Sequence, residues 1–283
     1  MPDLVPTRRA APLVLAALIV LTGCSMSLPR DLASLDEVKG CSAWDTGTVT
    51  RLGRAYDRTT PRRILECSLS IIREEAFRSI SKSTLASRVC FLLADSETDS
   101  NRRRMLAAEG VRWAEIAVHL GAWLDGEVHY YFAVNLGLAV QDTVVVAIKN
   151  LPRLEEELKA AVQHAPEVDG GGPERVLGML YLQAPSWPKG IGDGDKAVQL
   201  LAKVAWQYPE HPLNHIFLSQ ALWEVEGDEA LDEIRTHLDE AARLLGLRNW
   251  GYAHKQWHQG ITDLATDIGE ERFLDCEYLH CGG

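Results

Sequence analysis

Apolar residues recur every three or four positions between residues 61 and 268, the spacing that places them on one face of a helix. The first stripe covers 64–77, behind a proline that suits the first turn of a helix. Ser83 or Thr84 then stands where the N-cap of a second helix is expected. The same spacing predicts helices over 101–120, 128–140, 144–164, 173–182, 195–208, 213–225, 229–245 and 252–268.

The breaks between these stripes carry residues that end helices. Glycine- and proline-rich stretches occur at 169–173, 185–194 and 209–212, and Gly246 follows another stripe. One run, 143–148, is rich in β-branched residues, which favours a strand. We predict that it is helical, because it lies between helical stretches with no partner strand nearby. The pattern therefore predicts an all-α protein built of antiparallel helix pairs.

The N-terminus has the pattern of an export signal. Arg8 and Arg9 precede an uncharged, mostly apolar run over 10–21. As a helix this run would reach about 18 Å, which is short of the ~30 Å hydrocarbon core of a bilayer. No second apolar run of spanning length follows, so we expect the mature protein to be soluble apart from any anchor.

The end of the apolar run carries a more specific motif. Leu21-Thr22-Gly23-Cys24 resembles the lipobox of bacterial lipoproteins. This resemblance implies that the chain is cleaved before Cys24 and that Cys24 carries a diacylglycerol, with Ser25 favouring the periplasmic side of the outer membrane. The sequence thus divides into a signal peptide (1–23), a tether (24–60), a helical domain (61–268) and a cysteine-containing tail (269–283).

Composition narrows the class of protein. The chain has 283 residues, of which 46% are hydrophobic and 24% charged, as in ordinary globular proteins. The 40 acidic and 29 basic residues give a formal net charge of −11. This balance argues against nucleic-acid binding, because neutralising phosphates requires a basic surface. Attachment to anionic lipid through a basic patch is disfavoured for the same reason.

The exported location permits disulfides. Besides Cys24 the chain contains Cys41, Cys67, Cys90, Cys276 and Cys281. This odd number leaves at least one cysteine free or paired between chains, and the sequence does not give the connectivity. For the tail, a disulfide from Cys276 to Cys281, or pairing with Cys41, is favoured over a zinc site that includes His280.

Three predicted helices share a short motif at 41-residue intervals: Leu136-Gly137, Leu177-Gly178 and Leu218-Ser219. The middle copy continues to Tyr181, which matches the Leu-Gly-x₂-Tyr centre of a tetratricopeptide (TPR) repeat. The residues with the spacing of a TPR second helix are Ala197, Leu201, Val204 and Pro209. Small residues at such positions let helices approach closely. We predict a TPR-like solenoid of about four repeats with a long loop inside one repeat; a HEAT- or armadillo-like array is the alternative.

The segment around that long loop carries a narrower signature. Its elements are Gly171-Gly172-Pro173, Arg175, Leu177-Gly178, Tyr181, Ala184-Pro185, Trp187-Pro188, Gly190, Gly192-Asp193 and Ala197. The segment resembles the T-component family of tripartite ATP-independent periplasmic (TRAP) transporters. The resemblance implies a TPR-like periplasmic lipoprotein that can form a trimer, binds a periplasmic solute-binding protein and has an apolar ligand channel.

Several aromatic residues are candidates for a ligand or partner site. Those grouped in the middle of the chain are Trp113, Trp123, Tyr130, Tyr131 and Phe132. Aromatic residues at helical spacing more often belong to the core than to a cavity. Trp187 in the long loop either contributes to a binding face or plugs the core. Together with Arg175 from the signature segment, the selected binding candidates are Trp113, Tyr130, Tyr131 and Trp187.

Signatures of catalysis are weak. The glycine run 170–172 lacks the Lys-Ser/Thr of a phosphate loop and is interpreted as the end of a helix. Asp193 or Asp195 is expected to cap the next helix. His254 and His258, four residues apart, lack the glutamate of a metalloprotease motif. The acidic run 155–157 is expected to be a solvated helix face.

We accordingly expect no enzyme activity, no cofactor and no metal. The favoured function is a lipid-anchored, partner-binding component of a TRAP-type uptake system. A general TPR scaffold of the cell envelope is the alternative. A metal-dependent enzyme that uses His254 and His258, or the cysteines of the tail, is a third hypothesis.

Overall fold

The computed structural model describes residues 28–35, 41, 44–75 and 78–270. The α-helices are α1 (Thr46–Gly53), α2 (Arg62–Glu74), α3 (Ile80–Asp95), α4 (Ser100–His119), α5 (Gly126–Val140), α6 (Val144–His164), α7 (Gly172–Gln183), α8 (Gly194–Gln207), α9 (Pro212–Glu226), α10 (Leu231–Leu247) and α11 (Ala253–Asp267). A short 3-10 helix (Gly227–Ala230) precedes α10. Within the described residues there is no β-strand, which confirms the all-α prediction. None of these helices is long and apolar enough to cross a membrane.

The helices are stacked in chain order. Each helix packs against the next one, from α1 to α11. Each odd-numbered helix also contacts the next odd-numbered helix, whereas the even-numbered helices of the described chain make no such contact with one another. The odd-numbered helices therefore form a continuous row, and the even-numbered helices cover it in adjacent pairs.

Local signals placed most helix ends correctly. The β-branched run at 143–148 is the start of α6, as predicted. Asp193 caps α8, and its Oδ1 accepts a hydrogen bond from the backbone N–H of Lys196 at 3.0 Å. The expected cap at Ser83 or Thr84 is wrong: α3 begins at Ile80 and is capped by Ser79. Ser83 and Thr84 lie inside that helix on its buried face, because helix packing outweighed the local preference of a hydroxyl for a cap.

Part of the expected tether belongs to the folded body. The helix α1 begins behind Asp45, which caps it, and Val49 is fully buried. A disulfide joins Cys41 to Cys67 in α2. The interpretation that pairs Cys41 with the C-terminal tail is therefore wrong, and Cys90 is buried with a free thiol.

Some sequence predictions fall outside the described residues. They concern the signal peptide 1–23, the lipidation site Cys24, the cysteines of the tail and His280. The end of the first apolar stripe, at 76–77, lies outside as well.

The predicted close-packing positions behave differently from one another. A Cβ atom on Gly178 would lie 2.8 Å from Cγ of the fully buried Leu201 on α8. Ser219 is buried, and its hydroxyl lies 3.5 Å from the backbone oxygen of Ile234 on α10. A Cβ on Gly137 would have no atom within 4 Å, so the expectation that Gly137 mediates close packing is wrong. The motif therefore has the same structural role in α7 and α9 but not in α5.

The long loop between α7 and α8 is held by its backbone. The N–H of Asp193 donates to the carbonyl of Tyr181 at 2.9 Å, and the N–H of Gly192 donates to the carbonyl of Pro185 at 2.9 Å. Trp187 is 85% exposed. The interpretation of Trp187 as a plug of the core is therefore wrong, and the loop presents this indole to solvent.

We expect Gly178→Ala to lower the free energy of unfolding by about 1–2 kcal/mol, because the fully buried Leu201 would have to shift to admit the methyl group. The matched variant Gly137→Ala is expected to raise it by up to about 1 kcal/mol, since alanine favours helix and nothing obstructs the methyl group. Urea unfolding followed by circular dichroism measures both. Stabilisation by both variants would contradict the close approach of α7 and α8.

Candidate functional site

The turn between α6 and α7 has an unusual backbone. Asp169, Gly170 and Gly171 all have positive φ values, of 54°, 59° and 85°. A side chain on Gly171 would also collide with the ring of Tyr208, with its Cβ only 2.6 Å from Cδ2. Glycine is therefore required at this position both for the dihedral angle and for the space. The turn ends at Gly172-Pro173, where proline occupies the first turn of α7.

This turn places the carboxylate of Asp169 among three donors from different elements. Arg58 binds it in a bidentate manner, with Nη1 to Oδ1 at 2.5 Å and Nη2 to Oδ2 at 3.0 Å. Nη2 of Arg175 donates to Oδ2 at 2.7 Å. The hydroxyl of Tyr130 donates to the same oxygen at 2.9 Å. One carboxylate thus links the α1–α2 connection, α5 and α7.

Arg175 and Asn214 complete the hydrogen bonding of the turn. Arg175 is fully buried, and its Nη1 donates to Oδ1 of Asn214 on α9 at 2.7 Å. Nδ2 of Asn214 donates to the carbonyls of Gly170 at 3.0 Å and of Tyr208 at 2.8 Å. Both connections, α6–α7 and α8–α9, are therefore fixed by the same pair of side chains.

The same cluster joins the two ends of the helical stack. Nε of Arg58 lies 3.6 Å from Oδ2 of Asp95 at the end of α3. The hydroxyl of Tyr252, just before α11, donates to that Asp95 oxygen at 2.8 Å. The N–H of Tyr252 donates to the carbonyl of Arg58 at 3.3 Å, and the guanidinium of Arg58 lies 5.4 Å from the ring centroid of Trp257. The row of helices is therefore closed from its first elements to its last.

Charge pairing controls ionisation in the cluster. Burial by itself would raise the pKa of Asp169, but Arg58 and Arg175 hold it well below its usual range. Burial opposes the charge of Arg58, yet Asp169 and Asp95 keep its pKa well above the usual value. Burial raises the pKa of Asp95, although Arg58 acts in the opposite direction. Burial and then Asp169 raise the pKa of Tyr130, which keeps its hydroxyl a donor.

A cleft of about 690 Å³ opens over this cluster. Its lining residues are Asp57, Arg58, Thr59, Asp169, Gly170, Gln207, Tyr208, Pro209, Glu210, His211, Arg248, Asn249 and Trp250. Most of these are polar or charged. The cleft is formed by the connections between helices, because four of them meet where Asp169 is held.

His211 is the distinctive residue of the cleft. It is 7% exposed, and its ring lies 5.3 Å from that of Trp250 and 5.1 Å from that of Trp257, centroid to centroid. Burial, and then Arg175, lowers its pKa well below 6.5, so the imidazole is neutral at physiological pH. Its Nδ1 has no hydrogen-bond partner in the protein. This nitrogen is itself buried, so its hydrogen-bonding capacity is left unused within the protein.

Arg248 is an exposed positive charge in the lining of the cleft, which also contains the exposed carboxylates of Asp57 and Glu210. Its guanidinium lies 3.6 Å from the ring centroid of Trp250, on the exposed side of the protein. Arginine presents a planar set of donors that suits carboxylate or phosphate groups. With the neutral His211, the cleft has the chemistry of a small polar binding site. Among the described residues, no group of three or more His, Cys, Asp or Glu side chains is arranged to hold a metal ion.

The structure brings together two of the five predicted binding residues. Tyr130 and Arg175 both bind Asp169, directly under the cleft. Trp113 is buried elsewhere, and its Nε1 donates to Glu109 at 3.2 Å. Tyr131 is buried, with its ring centroid 5.9 Å from that of Phe91. Trp187 lies on the exposed loop.

The structure also locates the other residues that the sequence analysis singled out. Of the central aromatic group, Phe132 is buried and Trp123 is exposed, so the group does not line one cavity. His254 and His258 lie on α11. In the acidic run 155–157, the expectation of a solvated face is wrong for Glu157, which is buried with Oε2 at 2.5 Å from Nδ1 of His129.

The sequence analysis missed most of the cluster. Arg58, Asp95, His211 and Tyr252 lie far apart in the chain and carry no local motif. Asp169 had one usable signal, since an acidic residue directly before three glycines suggests a turn that holds its carboxylate in place.

Comparison with known proteins finds no match. No protein-family model matches the chain. No curated protein is similar to it either.

We expect Asp169→Asn to lower the free energy of unfolding at pH 7 by about 3–5 kcal/mol, because the buried Arg175 loses its counter-charge and Arg58 keeps only Asp95. An unfolded carboxyl titrates near 3.8 and the folded one well below. The contribution is thus complete above about pH 4 and is lost as the pH falls further. The difference between variant and wild type should therefore shrink below pH 4 in urea titrations. Asp142→Asn, which removes the exposed partner of Arg103, is the control and should cost under about 1 kcal/mol.

His211 gives a second pH test. The pKa of His211 is lower in the folded protein than in the unfolded chain. The contribution of His211 to stability is therefore complete above pH 6.5 and is lost as the pH falls below that value. His211→Gln should remove this loss, which amounts to at most about 1.4 kcal/mol per pH unit.

The pH dependence that His129 contributes to stability has the opposite sign, since its hydrogen bond to Glu157 raises its pKa. His129→Gln should therefore remove a contribution that is present at acidic pH and lost as the pH rises. Equal pH profiles of His211→Gln and wild type would contradict the assignment.

Proposed function

We propose that this chain is a lipid-anchored accessory component of a TRAP-type solute uptake system on the periplasmic side of the outer membrane. In this role it binds a periplasmic solute-binding protein and performs no catalysis. Acylation at Cys24 attaches it to the membrane. Association into a trimer is part of the same proposal.

The packing of the helices is the observation that carries this proposal. In TPR-type arrays, first helices contact first helices and each second helix packs between neighbours, which leaves a row of helices available as a surface for a partner. The described chain has this arrangement. Each odd-numbered helix contacts the next odd-numbered helix, whereas no two even-numbered helices among the described residues contact each other. We propose that α3–α4, α5–α6, α7–α8 and α9–α10 are four TPR-like repeats.

The residues of the TRAP-like segment have structural roles that support the resemblance. Gly171 permits the turn that holds Asp169, and Arg175 binds it. Gly178 permits the contact with Leu201, and Asp193 caps α8. The segment therefore determines both the α6–α7 connection and the loop between α7 and α8. We propose that this shared structural role is why the same residues recur in a family of partner-binding proteins.

The polar lining of the cleft changes the class of ligand expected from the resemblance. An apolar channel suits an apolar molecule, whereas this cleft presents Arg248, Asn249 and the neutral His211. We propose that any small molecule it holds is polar and carries a negative group toward Arg248. For the cleft to take part in uptake, its mouth must face the bound solute-binding protein.

The alternative is a general TPR scaffold of the cell envelope. The exposed Trp187 supports either role, because exposed tryptophans are frequent among the residues that dominate the affinity of an interface. The identity of the protein that contacts this loop separates the two functions.

The test is co-purification from a detergent extract of the native cell envelope, with the partner identified by mass spectrometry. We expect a periplasmic solute-binding protein in wild type and at least about tenfold less in Trp187→Ala, the usual loss for a central interface tryptophan. Trp206→Ala is the matched control, since Trp206 is 81% exposed on α8, outside the loop. Recovery of unrelated envelope proteins only would favour the scaffold function.

A further inference from the structure

An unpartnered apolar face lies at the start of α6. Val144 is 71% exposed, Val145 is 55% exposed, and Ile148 is also exposed. Positions i, i+1 and i+4 share one side of a helix, so the three side chains form a single patch. Lys149 is exposed on the next position and adds a positive charge. A contiguous apolar patch on the surface is a candidate interaction site.

The N-terminal segment lies beside the same helical turn. Leu28 packs against the core cluster that Val146 and Ala147 also contact. Leu28 and Pro29 line a cavity of about 320 Å³ together with Thr143 and Val146. The carbonyl of Pro29 accepts a hydrogen bond from Nη1 of Arg112 at 2.5 Å. Residues 28–29 are therefore fixed beside the first turn of α6.

Chain length then limits where the anchor can lie. Leu28 lies four positions after Cys24, and a fully extended chain covers at most about 14 Å over that distance. Acyl chains on Cys24 lie within the bilayer, so the membrane surface must approach the start of α6 to within this reach. This step rests on the lipidation that belongs to the proposed function.

We propose that Val144, Val145 and Ile148 form a membrane-docking patch that inserts into the lipid surface holding Cys24. Each side chain transfers from water to the acyl boundary, which is favourable for every buried methyl group. The anchor and the patch give two attachments on one side of the protein and so fix its orientation on the membrane.

The test places a tryptophan in the patch. The lipoprotein Val145→Trp is reconstituted in phosphatidylethanolamine and phosphatidylglycerol vesicles whose acyl chains are either brominated or unmodified. The emission added by the new tryptophan is the difference from wild type. We expect bromine to quench roughly half of it, since a docked side chain lies about 5–10 Å into the boundary. The control is Leu247→Trp at a position 65% exposed on α10, which does not contact α6, and it should be unaffected.

The outcomes separate the docking from the anchor. Mass spectrometry of the same preparations reports whether Cys24 is acylated. Acylated Val145→Trp protein whose added emission is unquenched would overturn the docking patch, would point to a protein occupant and would leave the lipid anchor intact. Equal quenching in both variants would show non-specific adsorption and overturn the patch as well. Absence of acylation would overturn the proposed anchor and with it the docking.

Discussion

The bidentate ion pair between Arg58 and Asp169 is the interaction on which the rest of the structure depends. Asp169 lies in the α6–α7 turn and Arg58 in the α1–α2 connection, 111 positions earlier in the chain. A helical stack with contacts only between neighbours can open at its ends. The pair prevents this opening, because Arg58 also reaches Asp95 and the backbone of Tyr252 next to α11. Removing one partner would leave the other short of opposite charge at a buried position.

The binding potential of the cleft follows from the same constraint. Helix connections are usually exposed and variable, but here four of them line one cleft over the Asp169 carboxylate. Their convergence buries His211 between two indoles and leaves its Nδ1 without a protein partner. The site therefore consists of groups that the fold has brought together for stability, and Arg248 is an exposed positive charge in its lining.

The two proposed surfaces have different chemistry. The loop with Trp187 presents a large aromatic side chain on a backbone fixed by hydrogen bonds, which suits a protein partner. The start of α6 presents short branched side chains beside the segment that leads to Cys24, which suits lipid. An acidic protein cannot rely on charge to reach an anionic membrane, so apolar insertion and acylation are the forces available to it.

The sequence by itself determined the helices, most of their ends and their order in adjacent pairs, because apolar spacing, caps and helix breakers are local. It also indicated the need for glycine at Gly178. Only the tertiary structure decided that Gly137 faces open space, that Ser83 lies inside α3, and that Cys41 pairs with Cys67. It alone assembled Arg58, Asp95, Asp169 and His211, since long-range pairing of buried charges depends on how all the helices stack. That arrangement is the sum of many helix contacts, and no single motif encodes it.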